Sequence, residues 1–162
     1  MRLYLASRFS RMDELNGYAD QLRANSFTID ARWLTGEHGV VGDRVEAARY
    51  DIPMEARTFA NDDVEDIQKS NGLVFFSQPP CEPAPRGGRH FEMGLAYGLQ
   101  KNILVVGPRE NIFHTLVGVD HVYEWDIDEV CKVLDKWWLA LYGEKRYVTG
   151  NPLLIDLEVA KQ

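Results

Sequence analysis

Apolar positions in this chain fall into short unbroken runs, separated by stretches with a helical rhythm. Leu3-Tyr4-Leu5-Ala6, Gly72-Leu73-Val74-Phe75-Phe76 and Ile103-Leu104-Val105-Val106 are uninterrupted, the mark of strands covered on both faces. Residues 27–32 alternate and predict a second strand near the sheet edge, and residues 121–125 predict a fifth. Leu15, Tyr18, Ala19 and Leu22 mark a first helix, with Ser10 as its N-cap and Asp13 and Glu14 behind it. A second helix is predicted over 54–70, opened by Pro53. In a third, Phe91, Leu95 and Leu99 repeat at four-residue spacing, and Gly94 and Gly98, one turn apart, would let the helix pack close to a sheet. Asp126 with Glu129 starts a fourth, striped by Val130, Leu134, Trp137, Trp138 and Leu141. Residues 35–51 are Gly-rich and charged without clean periodicity, which reads as a lid or binding loop. Four prolines within 77–85 exclude helix and central strand.

Strands alternating with helices predict an α/β domain, a parallel sheet with helices on both faces. The common five-strand order is 2-1-3-4-5, with ligands bound where strands 1 and 3 diverge. That order would bring residues 7–11 and 78–92 to one crevice. The 162 residues suit a single domain over 1–162, with 143–162 as an unassigned C-terminal tail.

Composition narrows the partners. A net charge of −7 argues against nucleic acid or an anionic membrane surface, and no segment reaches transmembrane length. Arg2 leads into only a short apolar run, so no secretory leader is expected. Cys81 and Cys131 make no disulfide framework, and a reducing cytoplasm is the expected setting. There is no CxxC or HExxH, and His38, His90, His114 and His121 are scattered. No metal site and no cofactor are expected.

Phosphate fingerprints such as GxGxxG and GxxxxGK[ST] are missing, as is a GxSxG elbow. The stretch Arg86-Gly87-Gly88-Arg89-His90-Phe91-Glu92 is the most informative. It places Glu92 in the first turn of the third helix, where the helix dipole favours an ionised carboxylate by about 0.3–1 kcal/mol. An ionised Glu can act as nucleophile with a second acid as proton donor, the two-carboxylate logic of glycoside cleavage. Acidic residues also favour first turns for stability alone, so the stretch by itself leaves both roles open. The acidic run 61–66 likewise reads as a solvated helix face, with Glu65 paired to Lys69.

Three segments, Leu3-Tyr4-Leu5-Ala6-Ser7-Arg8-Phe9, Asn61-Asp62-Asp63-Val64-Glu65-Asp66-Ile67-Gln68-Lys69-Ser70 and Gly87-Gly88-Arg89-His90-Phe91-Glu92-Met93-Gly94-Leu95-Ala96, occur in this order over residues 2 to 107. In these segments the chain resembles the nucleoside 2-deoxyribosyltransferase superfamily, which includes nucleoside 5′-monophosphate N-glycosidases. The resemblance implies a flavodoxin-like (Rossmann-like) three-layer sandwich. It implies catalysis by Glu92, attacking the anomeric carbon, and by Asp63, assisting proton transfer to the leaving base. Phe9 matches the position of an aromatic residue set against the base. Substrate binding is expected from Ser7, Arg8, Phe9, Ser10 and Arg11, from Arg86, and from Gly88 and His90.

The resemblance further implies a homo-oligomer (a dimer or higher) whose sites borrow residues from a neighbour, with the 143–162 tail as a candidate contributor. Arg86 stands where transferases of free nucleosides usually carry an Asp, and an Arg there would bind a phosphate. A (deoxy)nucleoside 5′-monophosphate is therefore the favoured substrate. The alternatives are a 2-deoxyribosyltransferase of free nucleosides and a non-catalytic nucleotide-binding or sensing module.

Overall fold

A computed structural model describes residues 1–36, 57–78 and 87–146. Five strands, β1 (Arg2–Ala6), β2 (Thr28–Ile29), β3 (Gly72–Phe76), β4 (Asn102–Val106) and β5 (Val119–Val122), form one all-parallel sheet in the order β2-β1-β3-β4-β5. Among the described residues four α-helices cover it: α1 (Met12–Ala24), α2 (Arg57–Lys69), α3 (Gly88–Gly98) and α4 (Ile127–Tyr142). The fold is the predicted α/β three-layer sandwich, with chain order reversing between β1 and β3. No described helix is long and apolar enough to cross a membrane.

Register divides the side chains between two layers. Tyr4 pairs with Leu73 and Ala6 with Phe75, and these residues face α2 and α3. Leu3, Leu5, Gly72, Val74 and Phe76 face the other way, toward α1 and α4. All five residues of β3 are buried, as a strand covered on both faces requires. Trp137 of α4 lies so close to the start of β3 that a Cβ on Gly72 would stand 2.7 Å from its ring. The Trp137 indole N–H donates to Asp120 at 2.8 Å, tying α4 to β5. Gly107, at φ 106°, lets the chain leave β4 against Ser77 where an added Cβ would strike the serine hydroxyl.

Several local expectations are corrected. Ser10 does not cap α1: residues Phe9–Arg11 form a 3-10 turn, Arg11 precedes the helix, and Ser10 is exposed. The second strand ends at Ile29 because the chain turns through a 3-10 helix at Arg32–Thr35. There the Arg32 side chain is held by Asp66 at 2.9 Å and Asp62 at 2.8 Å, both on α2. The acidic stretch of α2 is thus partly an arginine clamp, although Glu65 does pair with Lys69 at 2.6 Å.

The largest correction concerns α3. Gly87 in the left-handed region, at φ 85°, starts the helix one residue before Arg89, so Glu92 lies in the second turn rather than the first. The buried face is Arg89, Met93 and Ala96. Phe91 is 64% exposed and Leu99 40%, while Gly94 and Gly98 face open space. Of the apolar rhythm in the sequence, only Leu95 packs against the core, and it is partly buried. Asp126 caps α4 as expected, accepting from the Asp128 and Glu129 backbone N–H groups. Residues 37–56, 79–86 and 147–162 lie outside the described residues, and with them Arg86, the expected 35–51 loop beyond Gly36, and the end of the tail.

Candidate active site

Tyr4 has no exposed surface and points from β1 between α2 and α3. Its hydroxyl donates to Glu92 Oε1 at 3.2 Å, and Asp63 of α2 interacts with the same hydroxyl. Three oxygen groups from three elements therefore meet at one point. Asp63 reaches it because one helical step of about 100° turns it inward from Asp62, which faces Arg32. The second carboxyl oxygen of Glu92, Oε2, is buried and has no hydrogen-bond partner among the described residues.

This environment reverses the expected charge state of Glu92. Loss of solvent, and then the like charge of Asp63, push its pKa up to about 8, against the opposing pull of the Tyr4 hydroxyl and of Arg89. At the second turn of α3 the helix dipole does little to oppose burial. Glu92 therefore holds its proton at neutral pH in the ligand-free protein. Burial, and the neighbouring Glu92 and Asp63, also raise the Tyr4 phenol well above its usual value. The arrangement keeps one proton on a pair of carboxyl groups bridged by a phenol, a poise suited to proton exchange.

A second cluster surrounds Phe75 beside the first. Arg89 is nearly buried; its Nη2 donates to Glu110 Oε1 at 2.8 Å and its guanidinium lies 5.6 Å from the Phe75 ring centre. Glu110 Oε2 accepts from the Gln78 backbone N–H at 3.1 Å. His114 lies edge-on to Phe75 at 4.8 Å, and His90 lies 5.3 Å from the same ring. Burial lowers the pKa of both imidazoles, most strongly opposed by Glu110. His90, Glu110 and His114 together form a group able to offer three metal-ligand atoms.

The first-loop residues separate. Ser7 Oγ is buried at the end of β1 with no partner among the described residues. Arg8 and Phe9 are half-buried, and the Phe9 ring lies 6.3 Å from Trp33. Arg11 points to the opposite side of the sheet. It makes two bonds to Glu14, at 2.7 and 2.8 Å, and donates to the Ser77 carbonyl at 3.0 Å. There it borders a cavity of about 400 Å³ with Tyr18, Phe76 and Trp125. Arg11 is thus set apart from Glu92, on the other face of the sheet, and residues 79–86 of the expected crevice lie outside the described residues. Gly88 is the exposed first residue of α3.

Sequence reasoning missed Tyr4, whose polar tip was the one signal inside an apolar run. It also missed Arg89, Glu110 and His114, which no spacing connects.

No family model matches the chain, and no curated protein matches it in sequence. Among solved structures it is similar to the CMP N-glycosidase BcmB of Clostridium botulinum, with a TM-score of 0.53 at 17% identity. The match covers 84% of this chain and 99% of that one. What the two share is the fold. The likeness agrees with the five-strand parallel architecture described above and with the fold that the sequence resemblance implied.

Proposed function

We propose that this protein cleaves the N-glycosidic bond of a (deoxy)nucleoside 5′-monophosphate or (deoxy)nucleoside, with Glu92 as nucleophile and Asp63 as acid. The observation that carries the reading is the buried Glu92 carboxyl bonded to Tyr4 and set beside Asp63. Glu92 passes its proton to Asp63 as substrate enters, which makes nucleophile and acid in one transfer. The Glu92 carboxylate then attacks C1′ while Asp63 protonates the departing base. Water or a second base releases the glycosyl group from Glu92. The buried Ser7 Oγ and Glu92 Oε2 are groups that sugar hydroxyls can satisfy.

The activity of the fold neighbour on CMP supports a monophosphate substrate, and Arg8 and Arg86 are the cations we assign to its phosphate. Arg11 is left out of that pocket because Glu14 and Ser77 engage it. We place the protein in the cytoplasm as a homo-oligomer that associates through the outer face of α3, where Phe91, Tyr97 and Leu99 are exposed. Phe91→Lys should then lower the mass measured by light scattering.

The deciding experiment incubates the protein with nucleosides and their 5′-monophosphates, with and without an acceptor base, and follows free base by chromatography. Release from monophosphates without an acceptor supports the hydrolase. Exchange on free nucleosides supports the transferase, and no release from any substrate supports the binding module.

A further inference from the structure

We propose that His90, Glu110 and His114 form a binding site for one divalent transition-metal ion of the zinc class, separate from the carboxyl pair and independent of the N-glycosidase reading. Their ligand atoms all lie within 4.8 Å of one another although the residues come from two elements, α3 and the segment after β4. The sequence hides the group, since 20 or more residues separate His90 from the other two.

The second and independent observation is His114 itself. It is 1% exposed, and neither ring nitrogen has a hydrogen-bond partner among the described residues. A neutral imidazole carries one N–H and one lone pair, and a fold rarely buries both unsatisfied. A bound cation satisfies the lone pair directly.

The donor set selects the ion. Two imidazoles exclude magnesium and calcium, which prefer all-oxygen sites, and a carboxylate in place of thiolates disfavours Cu(I). Three protein ligands leave an open position, filled by water or by a ligand. Around a tetrahedral ion with bonds of about 2.0–2.1 Å, ligand atoms stand about 3.3 Å apart. His90 Nε2 and Glu110 Oε1 are already 3.6 Å apart. The remaining closure falls on those two side chains, 30% and 14% exposed, while His114 stays fixed against Phe75.

Arg89 donates from Nε at 3.2 Å and from Nη2 at 2.8 Å to Glu110 Oε1, the oxygen nearest His90, and the Gln78 N–H donates to Oε2, so the carboxylate meets an ion with the lone pair left on Oε2 or by giving up an Arg89 bond. The Arg89 charge makes the site weaker than a closed four-ligand zinc centre. An anion is the poorer occupant, because Glu110 stands in the middle of the group.

The test uses untagged full-length protein stripped with a chelator and titrated with CoCl₂ and then ZnCl₂, without substrate. The expected result is one Co²⁺ per chain, seen as visible d–d absorption that Zn²⁺ displaces, with a rise in melting temperature. His114→Ala should abolish the absorption. His90→Ala, at a half-buried position that tolerates truncation, should weaken binding at least about tenfold and keeps the test decisive if His114→Ala does not fold. Absence of stoichiometric Co²⁺, or binding of equal affinity in the wild type and His90→Ala, overturns the proposal.

Discussion

The two faces of the sheet hold their charged and aromatic groups in different ways. On the α1/α4 face, Arg11 is bonded to Glu14 and Ser77, the Tyr18 hydroxyl donates to Glu14 at 2.7 Å, and Trp137 donates to Asp120. On the α2/α3 face, Glu92 Oε2, Arg89 Nη1 and both nitrogens of His114 are buried without partners among the described residues. Unsatisfied buried polar groups destabilise a fold. Such groups are not confined to one side, since Trp138 Nε1 on α4 is also buried without a partner among the described residues, but the carboxyl, guanidinium and imidazole groups among them belong to the α2/α3 side.

Glu92→Gln tests the first half of that contrast most severely. Base release should fall by about 10⁴-fold or more, as for loss of a nucleophile elsewhere. A variant that keeps wild-type turnover excludes the covalent step. The same variant reports on stability. Since the folded pKa of Glu92 is raised to about 8, its contribution is fully present below the unfolded value near 4.5 and is lost as pH rises through 8. The wild type should therefore lose stability relative to Glu92→Gln between about pH 4.5 and 8, by on the order of a few kcal/mol. Melting curves of both proteins that run parallel across this range would contradict the buried, protonated carboxyl.

Asp63→Asn should slow base release by about 10²–10⁴-fold for poor leaving groups and much less for activated ones. Equal losses across leaving groups would move Asp63 to sugar positioning. On the opposite face the effects should appear in stability alone. Gly72→Ala drives a methyl into Trp137 and should cost about 1–3 kcal/mol in a denaturant titration, with turnover per folded molecule unchanged. Arg11→Ala should be the mildest, at or below about 1 kcal/mol for a partly exposed ion pair. If it instead weakens monophosphate binding alone, the exclusion of Arg11 from the phosphate pocket fails.

β1, β3 and β4 were legible because each is a continuous apolar run, and β3 matches its predicted residues at both ends, whereas the fifth strand, expected at 121–125, lies at Val119–Val122, where Asp120 and His121 interrupt the apolar pattern. Asp126 was legible as a cap because its chemistry is local. What lay hidden depends on tertiary context. The shortness of β2 follows from Arg32 meeting acids on α2, 30 and 34 residues away. The stripe of α3 misled because periodicity reports a face without saying which way it turns, and the inner face is carried by Met93 and Ala96 together with Arg89. Glu92 and Asp63 could be named from resemblance to a family, yet the raised pKa of Glu92 depends on burial beside Tyr4, which no spacing encodes.

The Arg32 clamp also sets the reading frame of the site. Asp62 and Asp63 are neighbours with opposite tasks, and a slip of one residue in α2 would exchange them. Arg32 grips the Asp62 side chain and carbonyl as well as the Asp66 side chain, in a geometry that a slipped helix cannot reproduce. The phase of α2 is thereby keyed to the turn just after β2, so it does not depend on how many residues connect Gly36 to Arg57. Insertions and deletions can accumulate in that connection without altering which carboxylate meets Tyr4.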